Sequence, residues 1–148
     1  MPKSPQENAD ELAEDFEFLE SWDDRLEYLF DIARNLPPMD PDAKIEANLV
    51  HGCQSNVWLV PHLREEGACA VIDFEADSDA LITKGLIALL YRVYSGQTPE
   101  SILKFDVEGF LERLELGQHL SMTRRNGLHG MVQRIKTLAT QANQQPAL

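Results

Sequence analysis

Leu12, Phe16 and Leu19 recur at helical spacing inside an otherwise acidic stretch. That periodicity predicts an amphipathic helix whose apolar stripe must find the body of the protein. Ser21 then reads as the N-cap of a second helix, with Asp23 and Asp24 in its first turn and Trp22, Leu26, Leu29, Phe30 and Ala33 along one face. Leu36-Pro37-Pro38 stops it, because consecutive prolines cannot continue the hydrogen-bond ladder. Residues 1–8 carry Pro2, Ser4 and Pro5 without periodicity and are expected to form a disordered lead.

The period then changes from helical to alternating. Ile45, Ala47 and Leu49 alternate with Glu46 and Asn48, and residues 57–62 and 68–74 are β-rich runs separated by a turn at 64–67. Together they predict a three-stranded antiparallel meander. Cys69 falls within the third strand, where a small buried hydrophobe is expected. Asp77-Ser78-Asp79 reads as the cap of a helix that is apolar nearly all round, from Leu81 to Val93, and hence central and buried. Gly85 inside it implies close contact with sheet or loop backbone. Thr98-Pro99 and Asp106 open two short helices, and 122–141 forms the last one, lined by Leu128, Met131, Val132, Ile135, Leu138 and Ala139. The expectation is one α+β domain over 9–142, a small three-stranded antiparallel sheet packed with several helices, and a frayed tail at 143–148.

Charge narrows the functional classes. Thirteen basic and 25 acidic side chains give a formal net charge of -12, a poor surface for phosphate backbones or anionic headgroups, so neither nucleic acid nor membrane is an expected partner. The charge is uneven: residues 1–31 hold eleven acids against Lys3 and Arg25, whereas 113–148 hold five bases against Glu115 alone. No run of about 18 apolar residues and no basic-then-apolar leader is visible, which gives a cytoplasmic expectation. The two cysteines, Cys53 and Cys69, belong to no CxxC pair, and the four histidines stand at no recognisable metal-ligand spacing.

The remaining chemistry concentrates in VHGCQSNVW at 50–58, where Cys53 follows Gly52 between two strand-like runs. A thiol on a hairpin tip can be presented or withdrawn by a small loop movement. This stretch resembles the signature of the SufE-like sulfur-acceptor family (SufE and CsdE). The likeness continues through LPP at 36–38, DSDALITKGLIALL at 77–90, TPESILKFDV at 98–107 and GQHLSMTRRNGL at 117–128. The chain departs by reading SMTRRNGL where relatives often carry proline and serine, and by a long turn at 62–67.

The resemblance implies a fold shared with the IscU-type cluster scaffolds. It also implies a persulfide taken from a cysteine desulfurase, SufS-like or CsdA-like, and passed on for iron–sulfur cluster assembly through a downstream scaffold or sulfur carrier. It gives the accepting role to Cys53, the active-site loop to His51, Gly52, Gln54 and Ser55, and partner or loop contacts to Asp79 and Arg124. No cofactor is expected on this chain, since pyridoxal phosphate belongs to the desulfurase; the chain is expected to act as a monomer or weak homodimer. A free thiol is only a few per cent ionised at neutral pH, and nothing local guarantees a depressed pKa. Two other readings stay open at this point: a thiol peroxidase or reductase, and an iron–sulfur scaffold with at least three soft ligands.

Overall fold

The computed structural model describes residues 3–50 and 55–144. The order is α1 (Pro5–Phe18), α2 (Trp22–Arg34), short 3-10 turns at Pro41–Ala43 and Glu46–Asn48, β1 (Val57–Glu66), β2 (Cys69–Ser78), α3 (Leu81–Tyr94), α4 (Pro99–Lys104), α5 (Val107–Arg113), a third 3-10 turn at Leu116–Gln118, and α6 (Met122–Gln144). α3 runs through the middle and packs on α1, α2, α6 and β2. Its Leu86, Ile87, Leu89, Leu90, Val93 and Tyr94 are all but inaccessible. Each large apolar side chain so buried contributes about 1.5–3 kcal/mol.

The helix starts are written in the chain. Ser21 accepts from the Asp24 N–H, Thr98 from Ser101 and Asp106 from Gly109, so each first turn has a side-chain cap. α1 begins at Pro5, inside the stretch expected to be an unstructured lead. Ser4 and Glu7 form a reciprocal capping box there, and proline suits the first helical position. α6 continues to Gln144, and the rest of the expected frayed tail, 145–148, lies outside the described residues.

The class is α+β, but the expected three-stranded sheet is corrected to two strands among the described residues. β1 and β2 pair antiparallel from Val57↔Ser78 to Glu66↔Cys69 across a two-residue turn at Gly67-Ala68. Gly67 has φ +61°, which glycine adopts without strain. The segment expected as the first strand folds into the Glu46–Asn48 turn and touches the sheet only through a Leu49↔Trp58 bridge. Asn48 donates from Nδ2 to the Ala43 carbonyl at 2.8 Å, a local bond that competes with strand pairing. On the other edge of the sheet, Ile72 exchanges hydrogen bonds with the 96–97 backbone, and the Phe74 N–H donates to Ser95 Oγ. Cys69 is exposed rather than buried, because it opens β2 at the hairpin tip, beyond the covering helices. No helix among the described residues is long and apolar enough to cross a membrane.

Candidate functional site

The segment 51–54 is bracketed by a backbone pair: the Val50 N–H donates to the Val57 carbonyl at 2.8 Å. Both valines are buried, so the ends of the cysteine loop meet on a fixed apolar base. His51, Gly52, Cys53 and Gln54 themselves lie outside the described residues. What the fold shows is how the chain on either side of them is held.

On the exit side, Asn56 is gripped by the β2–α3 junction. Its backbone N–H donates to Asp79 Oδ1 at 3.1 Å and its Nδ2 to Asp79 Oδ2 at 3.0 Å. Its carbonyl accepts from Ser78 Oγ at 2.8 Å and from the Asp79 N–H at 3.3 Å. One step nearer the cysteine, the half-buried Ser55 accepts from Thr83 Oγ1 at 3.4 Å. The DSD segment expected to cap the central helix therefore ends β2 and holds the loop. The N-cap residue of α3 is Ala80, which makes no side-chain cap bond.

On the entry side, Lys44 Nζ lies 2.7 Å from Asp77 Oδ2 and 5.5 Å from the centre of the Trp58 ring, in cation–π range. Lys84 Nζ reaches the other carboxylate oxygen at 3.3 Å, and the Ser78 N–H donates to it at 2.8 Å. Burial pushes the Asp77 carboxyl up. Lys44, the Ser78 N–H and Lys84 outweigh it and hold the group below the usual carboxylate range.

Arg124 stands at the start of α6, where its backbone N–H donates to Ser121 Oγ at 3.2 Å. With Ser55, Thr83, Leu86, Thr123, Gly127 and Met131 it lines a tight cleft. Arg124 makes no ion pair among the described residues, and its cleft abuts the exit of the loop. Ser55 and Arg124 thus share one cleft, while Asp79 holds the next residue along, Asn56, from the β2–α3 junction. Sequence reasoning missed Lys44, Asn56, Asp77, Thr83 and Lys84 as parts of this arrangement. The available signal was the pair of acids in DSD, read as a helix cap, with a partner or loop contact given to Asp79 by the resemblance alone. No group of three or more His, Cys, Asp or Glu side chains among the described residues is arranged to hold a metal ion.

Comparison with known proteins covers nearly the whole chain. The SufE profile, "Fe-S metabolism associated domain", matches residues 10–139. An uncharacterized SufE-like protein of Rhizobium meliloti is 38% identical over 132 residues, 89% of this chain and 94% of its own length. An uncharacterized SufE-like protein of Rhizobium etli is 36% identical over 139 residues, 92% of this chain and 94% of its own. The solution structure of a hypothetical protein from Thermus thermophilus superposes with a TM-score of 0.73 at 23% identity, covering 97% of this chain and 100% of that one, a likeness of fold. With the family match spanning the cysteine loop, both of its anchors and the cleft beside it, this chain belongs to the SufE family of the iron–sulfur metabolism domain.

Proposed function

We propose that this chain is a sulfur acceptor, which takes persulfide sulfur from a cysteine desulfurase onto Cys53, stimulates that enzyme, and hands the sulfur on for iron–sulfur cluster assembly. The observation that supports the reading is the anchoring of the chain on either side of residues 51–54, Val50 paired with Val57 and Asn56 held by Asp79, in a chain of the SufE family. A loop fixed at its base suits a thiol that must enter another protein's active site.

The step balances without an added oxidant. The Cys53 thiolate attacks the terminal sulfur of the donor's Cys–S–SH, a new S–S bond forms, and the donor's own S–S bond breaks. The donor cysteine leaves as thiolate and takes a proton from solvent, while Cys53 carries the persulfide. The rate follows thiolate fraction and access. Pyridoxal phosphate, which releases sulfur from free cysteine, belongs to the donor enzyme. Arg124, in the cleft beside Ser55, and Asp79, which fixes Asn56, then serve presentation of the loop and contact with the partner. The reading calls for a cytoplasmic desulfurase of the SufS or CsdA kind as donor and a scaffold or sulfur carrier downstream, with the chain acting as a monomer or weak homodimer.

Mass spectrometry after incubation with a desulfurase and free cysteine tests the reading. The wild-type chain and Cys69→Ser gain the mass of added sulfur and lose it to a thiol reductant, while Cys53→Ser gains none and does not stimulate the desulfurase. Adducts retained by Cys53→Ser would remove the role of Cys53, and turnover of peroxide by Cys53 without any desulfurase would favour a thiol redox protein instead.

A further inference from the structure

We propose that the groove between α5 and α6 is a docking site for an amphipathic helix of a partner protein, with a basic edge toward α5 and an acidic edge toward α6. The proposal goes beyond sulfur transfer: it stands on the fold of residues 107–132 and uses no part of the cysteine loop.

The groove has an apolar floor that includes Leu111, Leu116, Leu120 and Leu128. One wall is α5, which sets Glu108 and Glu112 along the rim; the other is α6, which sets Arg125 and His129. Within each wall the two positions are four apart, so they stand one turn above the other on the same helix face. All four are exposed, and none forms a side-chain hydrogen bond or ion pair with another described residue. An acidic and a basic row thus face each other across leucines without pairing.

The walls stand apart without an occupant. α5 leans on α1 and the Leu116–Gln118 turn, α6 on α3 and α4, and Leu116, Leu120 and Leu128 belong to the main core. The groove is therefore preformed, and docking needs little reshaping of it. It also flanks the helix that lines the cleft beside Ser55: the first turns of α6 send Arg124 and Gly127 to that cleft, and Arg125 and Leu128 to this groove.

Floor and rims together select the occupant. A leucine-lined slot between two helices takes apolar anchors spaced at i, i+3 or i+4, and i+7, as in helix-in-groove recognition. The rims then call for lysine or arginine along one edge of that helix and glutamate or aspartate along the other. A uniformly negative ligand, such as a phosphate backbone, would meet Glu108 and Glu112. A second copy of this chain is poorly suited. Its exposed large apolar side chains, Phe18, Ile45, Leu63, Leu81, Leu103 and Met122, lie on separate elements, so no helix among the described residues offers a second apolar stripe.

The test titrates the full chain with three synthetic amphipathic peptides that share a leucine stripe and differ in their edges: one lysine and one glutamate edge, lysine on both, or glutamate on both. Backbone amide NMR shifts report binding. The mixed peptide should bind about tenfold more tightly than either of the others, the scale of several partly screened charge pairs. Its shifts should centre on α5 and α6, and salt should narrow the difference. In Glu108→Lys/Glu112→Lys both rims are basic, and the preference should move to the glutamate-edged peptide. Neither side chain has a partner to lose, and the comparison of peptides on the unsubstituted chain needs no variant that folds. No binding of the mixed peptide, equal binding of all three, or a preference unmoved by the double variant would overturn the proposal. Dimerisation of the chain alone that the double variant abolishes would give the groove to a second copy, and would overturn it too.

Discussion

Asp77 and Asp79 stand two positions apart and do different work. Asp79 commits both oxygens to one asparagine, fixing the exit of the loop. Asp77 gathers two ammonium groups and a backbone N–H, and stays ionised further into acid than an ordinary carboxylate. Since its pKa falls on folding, ionised Asp77 stabilises the native state above the unfolded pKa of about 3.9. That contribution fades as pH drops through the lower folded value. Asp77→Asn removes it and leaves Lys44 and Lys84 facing each other without an anion. Urea unfolding followed against pH should therefore show wild type ahead of Asp77→Asn at neutral pH, with the gap closing below about pH 4. A gap that is constant across that range would mean the carboxylate's charge is not what stabilises the cluster.

At the scale of elements, α2 and α3 approach closely enough that a Cβ built on Gly85 would lie 2.9 Å from the Leu29 carbonyl oxygen and 3.1 Å from Leu29 Cβ. A close backbone contact at Gly85 was legible in the chain, but its partner is a helix rather than sheet or loop. Gly85→Ala gains helix propensity of about 1 kcal/mol in isolation, yet must push two buried helices apart, an overpacking cost of about 1–3 kcal/mol. The expected outcome is net destabilisation, read as a lower denaturation midpoint; a stabilised variant would show that α2 yields freely. Helix existence was legible because apolar period and caps agree at Ser21, Thr98 and Asp106. The first strand was misread because alternation records a face and not a pairing partner. Ile45 is 52% exposed and the Asn48 side chain satisfies backbone locally, so the alternating pattern had nothing to bury.

Over the whole molecule, the cysteine motif was legible and the resemblance marked Asp79 for a partner or loop contact, but which residues hold the chain on either side of it was not. Asn56 meets Asp79 across 23 positions, and Lys44 meets Asp77 across the hairpin; no local pattern encodes either contact. The same holds for α1, which the chain shows as an amphipathic helix without saying where it docks. It lies on α3 and α5, and buries Ala9, Leu12, Ala13 and Phe16, none more than 1% exposed. Two kinds of contact join it to the rest. Phe16 meets the Tyr28 ring edge-on at 5.5 Å and lies under the Arg25 guanidinium, which also donates from Nε to the Phe16 and Leu19 carbonyls at the end of α1. Arg113 from α5 pairs with Glu17 at 2.6 Å and Asp10 at 3.1 Å, but these groups are 40–52% exposed. Screened surface pairs are worth about 0–1 kcal/mol, whereas truncating a buried phenylalanine costs about 3–5 kcal/mol. Arg113→Ala should thus shift the unfolding free energy by less than about 1 kcal/mol and Phe16→Ala by several times that. Equal losses would mean that α1 is fastened to the acidic protein by charge rather than by the apolar stripe through which the first residues of the chain complete its core.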